Sequence, residues 1–233
     1  MITVKNFILD TLHLFYPHVC TGCGSDILDK ENLLCLSCTE NLPTTSFALQ
    51  AGNPVEKAFW GRIPVTAAHS QYYFAKESLI QHLIHQLKYK NNKETGIYLG
   101  ELTGKTLGES NRFNNIDMLV PLPLFPDKER VRGYNQAAVI CEGIAHTMQV
   151  PVNYGNVGRK RYTETQTRKH RDERWQNVEG SFIVKDPAAL KGKNILLVDD
   201  VITTGATLEA CGSILLECGV AGLFIATLAY ADK

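Results

Sequence analysis

Residues 195–207 hold the most informative pattern of this 233-residue chain: Ile195-Leu196-Leu197-Val198-Asp199-Asp200-Val201-Ile202-Thr203-Thr204-Gly205-Ala206-Thr207. The four consecutive apolar residues predict a strand that is buried on both faces, as in a parallel sheet. Two carboxylates, Asp199 and Asp200, follow at the carboxyl end of this strand, where open α/β sheets bind their ligands. The pattern therefore predicts an α/β fold with a ligand site at this strand end.

The loop after the strand is suited to a phosphate group. Its backbone N–H groups and the dipole of a helix that starts near residue 208 favour an anion. Gly205 has no Cβ and lets the backbone approach a ligand closely. Asp199 and Asp200 would lie one sugar's width away, in position to accept hydrogen bonds from a ribose diol. The alternative is a buried strand followed by a surface turn with unpaired acids. The predicted phosphate-binding residues are Thr203, Thr204, Gly205, Ala206 and Thr207.

Composition limits the class of protein. The chain has 24 Lys and Arg against 24 Asp and Glu, so its net charge argues neither for nor against a nucleic-acid partner. No apolar run approaches the length of a membrane span, and residues 1–16 lack the apolar core and cleavage site of a signal peptide. Seven cysteines, an odd number, fit a reducing compartment. We expect a cytoplasmic protein with one sizeable domain and a small appendage.

Two cysteine pairs, Cys20-x-x-Cys23 and Cys35-x-x-Cys38, are separated by eleven residues. Two such knuckles can place four thiolates tetrahedrally around one zinc ion. The alternatives are plain core cysteines or a redox motif, which requires a βαβ context that is missing here. We predict a structural zinc site with no catalytic role, because a closed four-sulfur site has no open coordination position.

The spacing of apolar residues predicts the other elements and the domain boundary. Residues 2–16 have the spacing of a docking helix, with a membrane-surface role as the alternative. Residues 43–64 show little periodicity and are interpreted as a linker. We expect residues 1–45 to form the N-terminal helix and four-cysteine module, and residues 46–233 to form the main domain. Within it we expect strands near residues 65–74, 117–122 and 223–230, and helices near residues 79–90 and 137–148.

One glycine motif, Gly100-x-x-x-Gly104-Lys105-Thr106, could be mistaken for a nucleoside triphosphate-binding loop. The motif is one residue too short, and it lies within a helical pattern with no buried strand directly before it. We therefore reject triphosphate binding at this position.

Two basic stretches are candidates for contacts with pyrophosphate. Arg130 and Arg132 follow the predicted second strand, where they can meet an anion or can simply be solvated loop charges. Between Arg159 and Arg174 there are seven Lys or Arg and three Asp or Glu, in a stretch with few aliphatic residues. This profile predicts a mobile loop that uses its charge on phosphates, with a solvated, disordered loop as the alternative.

Taken together, these features resemble the ComF family, in which a small zinc module precedes a type I phosphoribosyltransferase domain. Residues 195–207 match the phosphoribosyl pyrophosphate (PRPP) signature of those transferases without a break. The resemblance implies a parallel sheet flanked by helices, with a small zinc-ribbon-like N-terminal module. It also rests on the two cysteine pairs, Leu87-Lys88-Tyr89, Val120-Pro121-Leu122-Pro123, Arg132-Gly133-Tyr134-Asn135-Gln136, Arg161-x-Thr163-x-x-Gln166, Arg171, Arg174, Asn177 and Phe182.

The resemblance also implies a function. Asp199 and Asp200 would hold the ribose as the catalytic pair, and Thr203 to Thr207 would cradle the 5′-phosphate. Magnesium would accompany PRPP, and a glycosyl transfer to an unidentified acceptor would release pyrophosphate. Many ComF relatives are tied to DNA uptake in natural competence. The alternative is a non-catalytic competence protein that senses PRPP or binds single-stranded DNA. The residues expected around pyrophosphate are Lys88, Arg130, Arg132, Arg161, Arg168 and Arg171.

Overall fold

A computed structural model describes residues 18–26, 32–159 and 181–232. The predicted docking helix at residues 2–16 lies outside this part of the chain, as do Arg161, Arg168 and Arg171. In chain order the elements are α1 (Leu36–Glu40), α2 (Pro54–Lys57), β1 (Ala67–Tyr73), α3 (Leu79–Tyr89), α4 (Lys93–Gly108), β2 (Met118–Pro121), α5 (Pro126–Arg132), α6 (Gln136–Met148), β3 (Val157–Arg159), β4 (Phe182–Val184), β5 (Asn194–Ile202), α7 (Ala206–Glu217) and β6 (Gly222–Tyr230).

The main sheet has four parallel strands in the order β1-β6-β5-β2. Strand β5 lies inside the sheet, and its apolar residues 195–198 are all buried. This confirms the predicted α/β class and the reading of a strand covered on both faces. A separate antiparallel pair, β3 and β4, flanks the basic stretch. Among the described residues, no helix is both long and apolar enough to cross a bilayer.

Residues 43–64 do not form the linker that their lack of periodicity suggested. Phe47, Val55 and Phe59 are buried in the same apolar cluster as the core of β5. The Asn53 side chain donates a hydrogen bond to the backbone oxygen of Ala68 in β1, at 2.8 Å, and its oxygen caps α2. Apart from the four-residue helix α2 the segment consists of turns and irregular chain, so no sustained helix or strand period appears in the sequence.

The cysteine-containing segment packs on the main core. Cys20, Leu34 and Cys38 belong to the same buried cluster as the apolar face of α3. The side-chain hydroxyl of Thr39 also lies 3.4 Å from the Tyr98 hydroxyl on α4. The boundary between residues 45 and 46 remains a prediction.

Helices α4 and α6 cross at very close range because both carry glycine at the contact. A Cβ at Gly100 would collide with the backbone oxygen of Ile140, and a Cβ at Gly143 would collide with that of Ile97. Gly104 likewise faces the backbone of Ile144. The glycine motif at residues 100–104 is therefore a helix-packing motif within α4, in agreement with the rejection of a triphosphate-binding loop.

Replacement of Gly100 tests this close contact. Gly100→Ala should lower the free energy of unfolding by roughly 1–3 kcal/mol, because the two helices must separate to admit the methyl group. Gly108→Ala in the same helix is the matched control, since a Cβ there meets no atom within 4 Å. Denaturant unfolding of both variants measures the difference. Equal stability of the two variants would contradict the close contact.

Candidate active site

The loop predicted to bind phosphate joins the end of β5 to the start of α7. Thr203 and Thr204 are exposed, and Gly205 occupies the N-cap position of α7 with φ 75° and ψ −2°. The first backbone N–H groups of a helix have no partner within it, and the helix dipole adds partial positive charge there. The structure thus brings the Thr203 and Thr204 hydroxyl groups to the start of this helix, where the Thr204 hydroxyl accepts a hydrogen bond of 3.4 Å from the Ala206 N–H.

Gly205 is favoured at this turn for a reason that the sequence alone did not reveal. A Cβ at Gly205 would lie 3.0 Å from the ring of Phe59, which packs underneath the loop. The positive φ is also a left-handed conformation that other residues rarely adopt. Glycine therefore allows the loop to turn over Phe59, and the close approach of a phosphate at Gly205 stays a prediction.

The two acids of β5 lie on opposite faces of the sheet, because successive side chains of a strand alternate. Asp200 follows Leu196 and Val198 on the face covered by α3 and α6. Asp199 follows the residues on the other face, which packs against α7. The neighbouring carboxylates therefore have different surroundings and different partners.

Asp200 forms an ion pair with a lysine from a distant part of the chain. Its Oδ2 lies 2.8 Å from Nζ of Lys88, and both side chains are largely buried. Lys88 stands in the last turn of α3, and the preceding carbonyl, of Leu87, accepts a hydrogen bond from the Tyr134 hydroxyl. The end of α3 is thereby held against the residues that follow α5.

Asp199 has an altered acidity. Burial and the neighbouring charge of Asp200 together raise its pKa to about 8, although the backbone N–H of Asp200 and the charges of Lys88 and Arg159 act in the opposite direction. One of its oxygens accepts a hydrogen bond of 2.8 Å from the backbone N–H of Asp200. Asp199 therefore keeps its proton to a higher pH than an exposed aspartate on a protein surface does.

The arginines near residue 130 lie on helix α5, where a loop was expected. Arg130 is mostly exposed and lies 4.0 Å from Asp127. Arg132 donates a hydrogen bond of 2.7 Å to Gln136 Oε1, and its guanidinium lies 5.6 Å from the centre of the Tyr89 ring. The helix forms because Pro126 occupies its first turn and Gly133, with φ 82°, ends it.

An open groove of about 660 Å³ lies between the end of α3 and helix α5. Lys88 and Arg132 both line it, so the structure joins two of the residues expected around pyrophosphate. Arg130 is not among its lining residues. Because Lys88 also reaches Asp200, the groove adjoins the acidic end of β5. The other residues along the groove are Tyr89, Asn91, Asp127, Lys128 and Val131, so three basic side chains face one acidic side chain.

The four cysteines of the two knuckles converge. Their sulfur atoms all lie within 4.8 Å of one another, and the Cys23 and Cys35 sulfurs are 3.7 Å apart. Tetrahedral zinc with sulfur ligands at 2.3 Å requires sulfur–sulfur distances of about 3.8 Å. The cluster therefore has the donor type and the spacing that zinc needs. All seven cysteines of the chain are free of disulfide bonds.

Sequence reasoning missed two residues at the phosphate loop, Phe59 and Arg62. Phe59 supports Gly205 from below, and Arg62 donates a hydrogen bond of 3.1 Å to the backbone oxygen of Thr204. Both lie in the aperiodic segment interpreted as a linker, about 140 residues before the loop. No local pattern marks them, because only the fold brings the two segments together.

Comparisons with known proteins agree with this geometry. The phosphoribosyl transferase domain family matches residues 136–233, which include β5, the phosphate loop and α7. The fold and the site therefore define a phosphoribosyltransferase domain.

Three relatives are similar to this chain. The DNA utilization protein YhgH of Escherichia coli K12 is 27% identical, over 88% of this chain and 87% of the relative. Competence protein F of Haemophilus influenzae is 26% identical, over 94% of this chain and 93% of the relative. Competence protein ComFC of Bacillus subtilis is 38% identical, over 45% of this chain and 40% of the relative. These similarities and the phosphoribosyl transferase domain support the resemblance to the ComF family.

The raised pKa of Asp199 leads to a prediction about stability. The folded chain keeps this proton up to about pH 8, whereas an unfolded aspartate loses it near its ordinary pKa of 3.8. Stability of the parent should therefore fall as the pH rises from about 4 to about 8. Asp199→Asn cannot lose a proton and should flatten this dependence, so that it melts a few degrees above the parent at pH 8.5.

Thermal melts across this pH range measure the effect, with Glu217→Gln, an exposed carboxylate on α7, as the control. The control should follow the parent curve. An Asp199→Asn variant with the parent's slope would contradict the assignment of the proton to Asp199.

Proposed function

We propose that this protein is a phosphoribosyltransferase that binds PRPP, transfers its phosphoribosyl group to an acceptor and releases pyrophosphate. The observation that carries the proposal is the ion pair between Lys88 and Asp200. It joins the phosphate loop and acidic pair of β5 to the basic groove beside α5. The 5′-phosphate, ribose and pyrophosphate of PRPP are linked in the same order as the phosphate loop, the acidic pair and the basic groove. Each part of the ligand therefore meets groups of suitable chemistry.

The carboxylates suit a magnesium complex of the substrate. Magnesium prefers oxygen ligands and usually binds through one or two carboxylates together with substrate phosphates. Asp199 and Asp200 offer such oxygens, directly or through the ribose hydroxyls. When bound with PRPP, the ion would neutralise charge on the departing pyrophosphate.

The reaction would use the two ends of the Lys88–Asp200 pair. Asp200 exchanges Lys88 for the ribose diol, and Lys88 is then free to bind the pyrophosphate oxygens. The bond from the anomeric carbon to pyrophosphate breaks, and its electron pair leaves with pyrophosphate. The carboxylate stabilises the positive charge that develops on the sugar. The acceptor forms the new bond to this carbon and loses a proton, and its identity is left open.

The biological setting follows from the relatives. Competence protein F and DNA utilization protein are names of homologues that cover most of this chain. We therefore propose a role in natural competence, in the handling of incoming DNA. The seven free cysteines suit the reducing conditions of the cytoplasm, where we place the protein.

A zinc ion at Cys20, Cys23, Cys35 and Cys38 completes the proposal. Four thiolates leave no position open for substrate, so this zinc would act on stability alone. Its site touches the start of α3, because a Cβ at Gly22 would lie 2.8 Å from Leu79.

A lysine substitution tests PRPP binding. Lys88→Met should weaken binding of magnesium–PRPP about tenfold, because a charge-assisted contact to pyrophosphate is lost. Binding of ribose 5-phosphate should stay equal or become tighter, since Lys88 no longer competes for Asp200. Calorimetry with both ligands measures the two affinities. Lys90→Met, two residues further along and exposed, is the matched control.

Several outcomes separate a transferase from a non-catalytic protein that senses PRPP or binds single-stranded DNA. A parent chain that binds neither ligand would overturn it. Binding without pyrophosphate release, across a panel of nucleobases and nucleosides, would favour a PRPP sensor. The net excess of four positive charges between residues 159 and 174 favours a second candidate, binding of single-stranded DNA. If magnesium–PRPP displaces bound DNA, the DNA and the pyrophosphate group use the same basic stretch.

Metal analysis tests the zinc proposal. Protein purified without added zinc should contain about one zinc per chain. Cys20→Ser should lose the metal and melt at a lower temperature, because metal binding contributes to folding. Cys218→Ser, which alters a half-buried cysteine outside the cluster, should keep both the metal and the melting temperature. Folded parent protein without metal, and with four reactive thiols at the knuckles, would exclude zinc.

A further inference from the structure

Arg62 contacts the phosphate loop, the helix that follows it and its own segment. Its Nη1 donates hydrogen bonds to the backbone oxygens of Thr204, at 3.1 Å, and of Ala58, at 2.8 Å. Its Nη2 forms an ion pair with Glu209 in the first turn of α7. About a quarter of the Arg62 side chain is exposed, so the guanidinium is held between the loop, the helix and its own segment.

The bond to Thr204 determines the direction of a peptide group. In a planar trans peptide the carbonyl and the N–H point in opposite directions. Because the Thr204 carbonyl points to Arg62, the N–H of Gly205 points away from Arg62. Gly205 then turns the chain with its positive φ into α7. Successive N–H groups around such a turn form a concave site for an anion.

The ion pair with Glu209 has an electrostatic consequence. Glu209 is the acidic residue in the first turn of α7, next to the proposed phosphate site. An unpaired carboxylate at this position would be close to a bound phosphate dianion and would repel it. Arg62 supplies the opposite charge, so the helix start keeps its attraction for anions.

We propose that Arg62 is a positioning residue for the 5′-phosphate of PRPP. It orients the Thr204–Gly205 peptide and offsets the charge of Glu209, and it acts through the backbone of the loop. This inference rests on the proposed function, because it assumes that the loop binds the phosphate of a phosphoribosyl ligand. It extends the site to a residue that lies before the matched domain of residues 136–233.

Arg62→Met tests this positioning role, with a substitution of a second arginine, Arg112, as the control. We expect Arg62→Met to weaken binding of ribose 5-phosphate about tenfold, because the hydrogen bond that orients the Thr204–Gly205 peptide toward the phosphate is lost. Magnesium pyrophosphate, which has no 5′-phosphate, should bind Arg62→Met and the parent equally. Calorimetry with both ligands supplies the comparison, and melting temperatures report any general loss of stability.

Arg112→Met is the matched control. Arg112 also pairs with a glutamate, Glu56, and donates to a backbone oxygen, that of Gln50, at 2.8 Å. Its side chain is 22% exposed, close to the 26% of Arg62. Arg112→Met should destabilise the chain to a similar extent and leave the affinity for ribose 5-phosphate unchanged.

Two further variants separate orientation from charge. Glu209→Gln keeps the Arg62 bond to Thr204 and removes a negative charge, so it should bind ribose 5-phosphate as tightly as the parent or more tightly. Arg62→Lys keeps the charge but cannot donate to both Thr204 and Glu209 with the same planar fork, so it should bind at an intermediate level.

Distinct outcomes would overturn distinct claims. If the parent binds ribose 5-phosphate and Arg62→Met binds it equally well, the positioning role is wrong and the proposed function stands. If Arg62→Met weakens ribose 5-phosphate and pyrophosphate alike, the effect is general and the positioning role is again wrong. If the parent binds neither PRPP nor ribose 5-phosphate, the proposed function fails, and the inference about Arg62 fails with it.

Discussion

The alternation of side chains along β5 is the constraint on which the site depends. Strand β5 is covered on both faces, so its two consecutive acids must enter two different environments. Asp200 enters the face where Lys88 can reach it, and Asp199 enters the face where burial favours its protonated form. A single dipeptide therefore supplies one ion-paired carboxylate and one carboxyl group with a raised pKa.

Helix α3 connects this site to the cysteine cluster. At its first turn, His82 is hydrogen-bonded to the backbone oxygen of Thr21, between two of the cysteines, at 3.0 Å. At its last turn, Lys88 reaches Asp200. The helix rises about 9 Å from His82 to Lys88, at 1.5 Å per residue. The cysteine module thus packs on the same rigid element that carries a cation to the acidic end of β5.

The segment at residues 43–64 supports the phosphate loop from the other side. Its aromatic ring at Phe59 lies under Gly205, and Arg62 holds the Thr204 carbonyl. These contacts come from residues outside the matched domain, which begins at residue 136. The loop carries the phosphate-binding groups, but its shape depends on side chains from a segment far away in the sequence.

Local sequence patterns were sufficient to predict the α/β class, the position of β5 and its loop, and the grouping of the four cysteines. These features follow from local patterns, because a buried strand, a turn and a metal knuckle each need particular residues at short spacing. Only the tertiary structure decided that Arg132 lies on a helix beside Lys88, that residues 43–64 pack in the core, and that Arg62 contacts Thr204. The first and the last of these relations join residues 44 and 142 positions apart, and all three are selected by packing and burial, which leave no periodic signal in either segment.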